Sequence, residues 1–198
     1  MKGFIYIASA FHTVNRSKCG RGGAWVDNDP HFWTTDEPPT WGICRNDLRK
    51  RAQIGDYIFF VLPLRGRHPQ MIFAYIKVHE KISHLEAYHR PELQSKRMGN
   101  KNPNGNIIVN ASGKYNRYDA HRHEYKFDRI KDEYVIGDPT QSRMLDDHTI
   151  RMLAPTFLAA LSSIIGITGS RAIDIISRAG RELDNGQIQR LLSWLGST

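Results

Sequence analysis

Residues 41–78 read WGICRNDLRKRAQIGDYIFFVLPLRGRHPQMIFAYIKV, and they leave a fold little choice. A short basic stretch, a Gly-Asp turn and two nearly continuous apolar runs follow one another without padding. Apolar runs of this length, bounded by turn residues, are the pattern of strands buried on both faces. Residues 57–62 and 71–78 are therefore expected to lie side by side across a core, joined by a basic hairpin loop over 63–70 that carries Arg65, Arg67 and His68. Ahead of them Asn46 is placed to cap a helix running to Ala52, with Leu48 and Ala52 four apart on one side. Gly55 and Asp56 close the turn into the first of the two strands, and the Asp56 carboxylate is expected to bond the turn backbone.

The rest of the chain is read against this segment. Phe4, Tyr6 and Ala8 alternate with Ile5, Ile7 and Ser9, so residues 4–9 form a first strand rather than a signal sequence. Residues 10–40 hold no period and form a long loop, yet they keep Trp25, Phe32 and Trp33, which a merely solvated loop would not be expected to keep. Residues 83–97 are helical but broken by Pro91, residues 98–105 form an exposed run, and residues 106–109 and 125–136 are further strands. Three helical stretches follow, over 156–165, 170–183 and 187–195, separated by Gly166 and by Asp184-Asn185-Gly186. The organisation expected is a base-binding domain over 1–149 and a helical extension over 150–198. Ile173, Ile176, Leu183, Leu191, Leu192 and Trp194 give that tail apolar faces that need a large buried partner, either the barrel or a second copy of the chain, so a homodimer through these helices is open.

Composition narrows the function. An apolar fraction of 40% with 24% charged residues is that of a soluble globular chain, and no window approaches the roughly 20 apolar residues of a bilayer span. No membrane partner is expected. Cys19 and Cys44 lie in unlike surroundings, so no disulfide framework is argued and a reducing cytoplasm is the default. The formal charge of +8 attracts polyanions, DNA or RNA first, provided that the basic residues share a face with groups able to read more than charge.

Such groups exist. Arg45 offers a fork of donors and Asn46 a donor and an acceptor, enough to read the edge of a base, while the bland alternative is a helix cap and a surface arginine. Trp25, Phe32, Trp33 and Trp41 can wall an aromatic cage for a flipped base, or else pack as a satellite core under the long loop. His121 and His123 alternate on one face without a third ligand, and zinc spacing motifs are missing, so no metal is expected. Asp56, Glu80, Asp128, Asp138, Asp146 and Asp147 are available acids, but no spacing ties any of them to a nucleophile, and no catalytic set is assigned. Gly20-Arg21-Gly22-Gly23 lacks the lysine and helix of a phosphate-binding loop, so no cofactor is implied.

The stretch RNDLRKRAQIGDYIFFVLP followed by IFAYIKV is similar to the signature of EVE and YTH domains in the PUA-like superfamily. Over residues 2–145 the first strand, the Gly-Asp strand pair, the GNKNPNGNIIV stretch and the later YVIGD element resemble, more narrowly, the second family of nucleotide-modification-associated domains. The resemblance implies an α+β fold built on a strongly curved, PUA-like β-barrel flanked by short helices, with a cleft that receives a flipped and often modified base. By position it puts Trp41, Arg45 and Asn46 at the pocket, with Trp25 and Trp33 as walls. The loop over 10–40 is longer and more charged than a minimal EVE loop, its tryptophans align to no particular cage position, and the tail beyond Thr149 is not covered. The expectation is a module that binds DNA or RNA through a modified or flipped base, with Arg49, Lys50, Arg51, Arg65 and Arg67 on the phosphates. Its rivals are an enzyme of nucleotide or base modification using the same cleft, and a structural dimerisation module.

Overall fold

The computed structural model describes residues 1–8, 29–32, 37–64, 69–100, 102, 105–119 and 123–197. Seven strands form one mixed sheet in an α+β arrangement: β1 (Gly3–Ile7), β2 (Thr40–Trp41), β3 (Tyr57–Val61), β4 (Ile72–Ile82), β5 (Tyr134–Gly137), β6 (Arg143–Met144) and β7 (Arg181–Leu183). The helices are α1 (Asn46–Arg51), α2 (His84–His89), α3 (Phe127–Ile130), α4 (Asp147–Leu153), α5 (Phe157–Ile165), α6 (Ala172–Ile176) and α7 (Asn185–Leu195).

The two apolar runs become β3 and β4, antiparallel with Tyr57 opposite Lys77 and Phe60 opposite Ala74. β1 lies parallel to β3 on the other side, with Ile5 opposite Phe59. β3 is buried on both faces, whereas β4 leaves Tyr75 and Lys77 partly exposed and His79 exposed on one face, and Asp56 accepts from the backbone N–H groups of Lys2 (2.8 Å) and Gln53 (3.0 Å) at the strand entrance. β4 runs further than the apolar pattern suggests. It shifts register at His79 and carries on through Ile82, so its first half pairs with β3 while its second half pairs with β5. The sheet order is β2-β5-β4-β3-β1-β7, with β6 also on β4. Among the described residues β2 and β7 end that path without pairing with one another, so the sheet is not closed into the barrel expected from sequence.

Three local expectations are corrected. The helix cap is Arg45 rather than Asn46: Arg45 takes the left-handed conformation (φ 49°) and its carbonyl accepts from Leu48 and Arg49, which makes Asn46 the first helical residue. Residues 125–136 are not one strand. The backbone N–H of His123 is captured by the Asp119 carboxylate, which starts a 3-10 turn leading into α3, and only Tyr134–Gly137 extend. The helix expected over 170–183 stops at Ile176, because Ser177 (φ 74°) and Gly180 (φ 81°) turn the chain back so that β7 pairs antiparallel with β1.

The principal core joins β1, β3 and the first half of β4 to Ile150, Leu153, Phe157, Leu161, Ile164, Ile175, Ile176, Ile188, Leu191 and Leu195 from the C-terminal helices. Residues Asp147–Ile165 make a run with a mean hydropathy of 1.3, long and apolar enough to cross a membrane by length and composition. That is more than the sequence reading allowed, and the burial of Ile150, Phe157 and Leu161 in this core accounts for the apolar face. Two smaller cores, one around Leu93, Ile107 and Ile136 and one around Ile43, Met98 and Ile108, lie under the segments between α2 and β5.

Candidate base-binding site

β2 and the turn after it carry the residues singled out from sequence, and the structure separates them. Trp41 is fully buried. Its indole stacks on Tyr6 (centroids 5.5 Å apart, 20° between planes) and meets the edge of Phe60 at 5.4 Å. It is thus a core residue and not the wall of an open cleft. β2 is only two residues long and pairs with β5 through Thr40 and Trp41, which turns the indole inward. One feature sets it apart from ordinary core: its Nε1–H has no hydrogen-bond acceptor among the described residues, although a buried donor normally finds one.

Arg45 does lie at the surface end of this stack. Its guanidinium sits 5.4 Å from the Tyr6 ring centroid, is clamped by both carboxylate oxygens of Asp47 (2.9 and 2.7 Å) and donates to the carbonyl of Ala179. The Asp47 hydrogen bond raises the Arg45 pKa and lowers that of Asp47, so the pair is held fully ionised. Asn46 is half-buried beside it, and its side-chain amide makes no hydrogen bond among the described residues. Arginine, tyrosine and tryptophan thus form a three-layer stack running inward from the surface, and Asn46 follows Arg45 as the first residue of α1. Trp25, Trp33, Arg65 and Arg67 lie outside the described residues; Phe32 is partly buried against the principal core.

The phosphate-binding set is divided as well. Lys50 is exposed, and Arg51 is exposed but paired with Glu182 (2.8 Å) and laid over the Phe4 ring (5.2 Å). Arg49, by contrast, is fully buried. Its guanidinium donates to the carbonyls of Cys44 (3.0 Å), Ile43 (3.2 Å) and Glu133, so it fastens the turn after β2 to β5 and is not available to a phosphate.

Behind the stack lies a buried polar network that no local pattern announced. The Asp29 carboxylate accepts from the backbone N–H groups of Gly42 (2.6 Å), Ile43 (2.9 Å) and Cys44, and from the Asn106 amide (3.2 Å). Burial pushes its carboxyl up, against Arg49 and the three N–H groups that pull it down. Asn106 in turn accepts from the hydroxyls of Tyr134 (2.7 Å) and Thr40 (3.2 Å). Gly42 is required at this junction: a Cβ there would stand 2.6 Å from the Tyr134 ring. His84 bridges the Gly42 carbonyl and the Ile108 N–H (2.8 and 3.3 Å), and burial beside Arg49 pushes its pKa down to about 3. Further out the ammonium of Lys96 meets His31 Nδ1 at 2.9 Å and Glu37 at 3.4 Å, its pKa lowered to about 8 by burial against the opposing pull of Glu37.

The acids named from sequence are all held in local structure. Glu80 pairs with Arg90, Asp128 with Lys131 and Asp147 with Arg151, while Asp138 caps its own turn and Asp146 caps α4. No group of three metal-ligating side chains occurs among the described residues. His121 and Arg122 lie outside them, and His123 is bound through Nδ1 to Asp119 at 2.7 Å. A groove of about 490 Å³ lined by Leu64, Pro69, Arg151, Pro155 and Leu158 opens where the β3–β4 loop meets α4 and α5, away from these groups. Comparison with family models, with curated proteins and with solved structures returns no match, so the site is read from its own geometry.

Proposed function

We propose that this protein binds nucleic acid and reads one nucleobase at the mouth of the Arg45–Tyr6–Trp41 stack, in a PUA-like arrangement of the curved sheet. The observation that carries the reading is the pairing of an uncommitted amide, that of Asn46, with an arginine fork held on a ring stack by Asp47 and Ala179. A base entering there meets a donor and an acceptor on Asn46 and a cation beside its π-face. The net charge of +8 supplies the sequence-independent part of the affinity, with Lys50 an exposed cation of the basic helix. An enzymatic reading fits less well, because the acids considered for general-base work are each occupied in a cap or an ion pair.

The test compares oligonucleotides with a modified base, the unmodified base and an abasic site at one central position, by fluorescence anisotropy at low salt. Asn46→Ala is expected to weaken binding of a base-bearing oligonucleotide roughly 5- to 150-fold, leaving the abasic one unchanged. Absence of binding to all three, or an Asn46→Ala variant that ranks them as the wild type does, overturns the proposal.

A further inference from the structure

We infer that Tyr118 and Tyr125 form a second contact surface, a stacking platform for single-stranded nucleic acid; the inference rests on the nucleic-acid reading above. Among the described residues the large apolar side chains left exposed are mostly aliphatic, and these two are the aromatic ones. Tyr125 is 83% exposed and Tyr118 41%, so packing explains neither. Each has its own cation beside the ring: the Arg117 guanidinium 5.3 Å from the Tyr118 centroid and the Lys126 ammonium 5.7 Å from that of Tyr125. Aromatic faces paired with cations are what a strand of unpaired bases requires, since any base offers a π-face and each nucleotide carries one phosphate.

The described residues on either side of 120–122 are pinned. Asp119 is buried and accepts from the Tyr115 hydroxyl (2.6 Å), the His123 N–H (2.9 Å) and His123 Nδ1 (2.7 Å), a clasp with Tyr118 just before it and Tyr125 just after. Tyr115 packs edge-on against Phe127, and Asn116 ties the segment to the carbonyl of Met98 and to the N–H of Tyr118. Asn110 closes the preceding turn through the N–H groups of Ser112 and Lys114. Rings held out on a fixed scaffold lose little freedom on binding. Charge agrees with the partner: between residues 110 and 131 Lys114, Arg117, Lys126, Arg129 and Lys131 outnumber the exposed carboxylates of Glu124 and Asp128, the latter paired with Lys131.

The deciding measurement is anisotropy of fluorescein-labelled oligothymidylate and oligouridylate of about 12 nucleotides with the full chain at low salt. The double variant Tyr118→Ala/Tyr125→Ala is expected to lose on the order of tenfold or more in affinity for the tighter-bound oligomer, with an unchanged near-ultraviolet circular dichroism baseline outside the tyrosine band. Tyr118→Phe/Tyr125→Phe is expected to stay within about twofold of the wild type, since stacking needs the ring and not the hydroxyl. The arm that binds more tightly identifies DNA or RNA as the source. Binding by the wild type that the alanine pair leaves intact, or that the phenylalanine pair abolishes, overturns the platform and leaves the base-reading site standing. A wild type that binds neither oligomer overturns the platform, and the base-reading site then stands or falls on the modified-base oligonucleotides above.

Discussion

His84 shows how one buried side chain can set the acid limit of a small domain. One ring nitrogen lies 2.8 Å from the Gly42 carbonyl and the other faces the Ile108 N–H, so the neutral ring satisfies both partners and a second ring proton would point at an N–H. Arg49, itself buried, adds a positive charge nearby. With a folded pKa near 3 against an ordinary 6.5, the unfolded chain binds the extra proton first as pH falls. Stability is therefore complete above about pH 6.5 and is lost progressively down to about pH 3. Asp29, with its carboxyl pushed up by burial, contributes the opposite slope, so the comparison with His84→Gln isolates the histidine. Urea unfolding at pH 7, 5 and 4 is expected to show the wild type losing stability by a few kcal/mol more than the variant over that range.

At the scale of elements, the turn from α6 into β7 is held by one glycine. Gly180 has φ 81°, and a Cβ there would stand 3.0 Å from the Ile5 carbonyl and 3.1 Å from Tyr6 Cβ. Gly180→Ala is expected to cost about 1–3 kcal/mol, read as a lower urea midpoint with an unchanged slope. This turn also marks where sequence stops being informative. β1, α1, the Gly-Asp turn, β3, α5 and α7 were legible because each follows from its own apolar pattern and flanking turn residues. β7 was not: Arg181–Leu183 carry no strand signal, and the edge of β1 makes them extended. The site shows the same division. Arg45 and Asn46 stand out as a local pair, but Trp41 and Arg49 look exposed in a basic segment until contacts distant in sequence bury them, Tyr6 and Phe60 against Trp41 and the Glu133 carbonyl beside β5 on Arg49. The exposed tyrosines were missed because Tyr118 lies between expected strands and Tyr125 falls at the start of the strand expected over 125–136, and the Asp119–His123 clasp beside them is a tertiary feature.

Taken whole, the molecule depends on its last quarter. β7 covers the open edge of β1, and α4 to α7 supply ten of the side chains named in the principal core. A chain ended after Thr149 would leave Phe4, Ile5, Phe59 and Phe60 without those partners. It is expected to lose cooperative unfolding and its near-ultraviolet circular dichroism, and to bind a hydrophobic dye; a sharp urea transition in the shortened chain would contradict this. The pairing of β1 with β7 also sets an order of events during synthesis. The first strand leaves the ribosome early, yet its outer edge has no neighbour until residues 181–183 have been made. At about 5–20 residues per second that interval is on the order of ten to thirty-five seconds, during which an apolar strand with unpaired backbone groups must be kept from other chains.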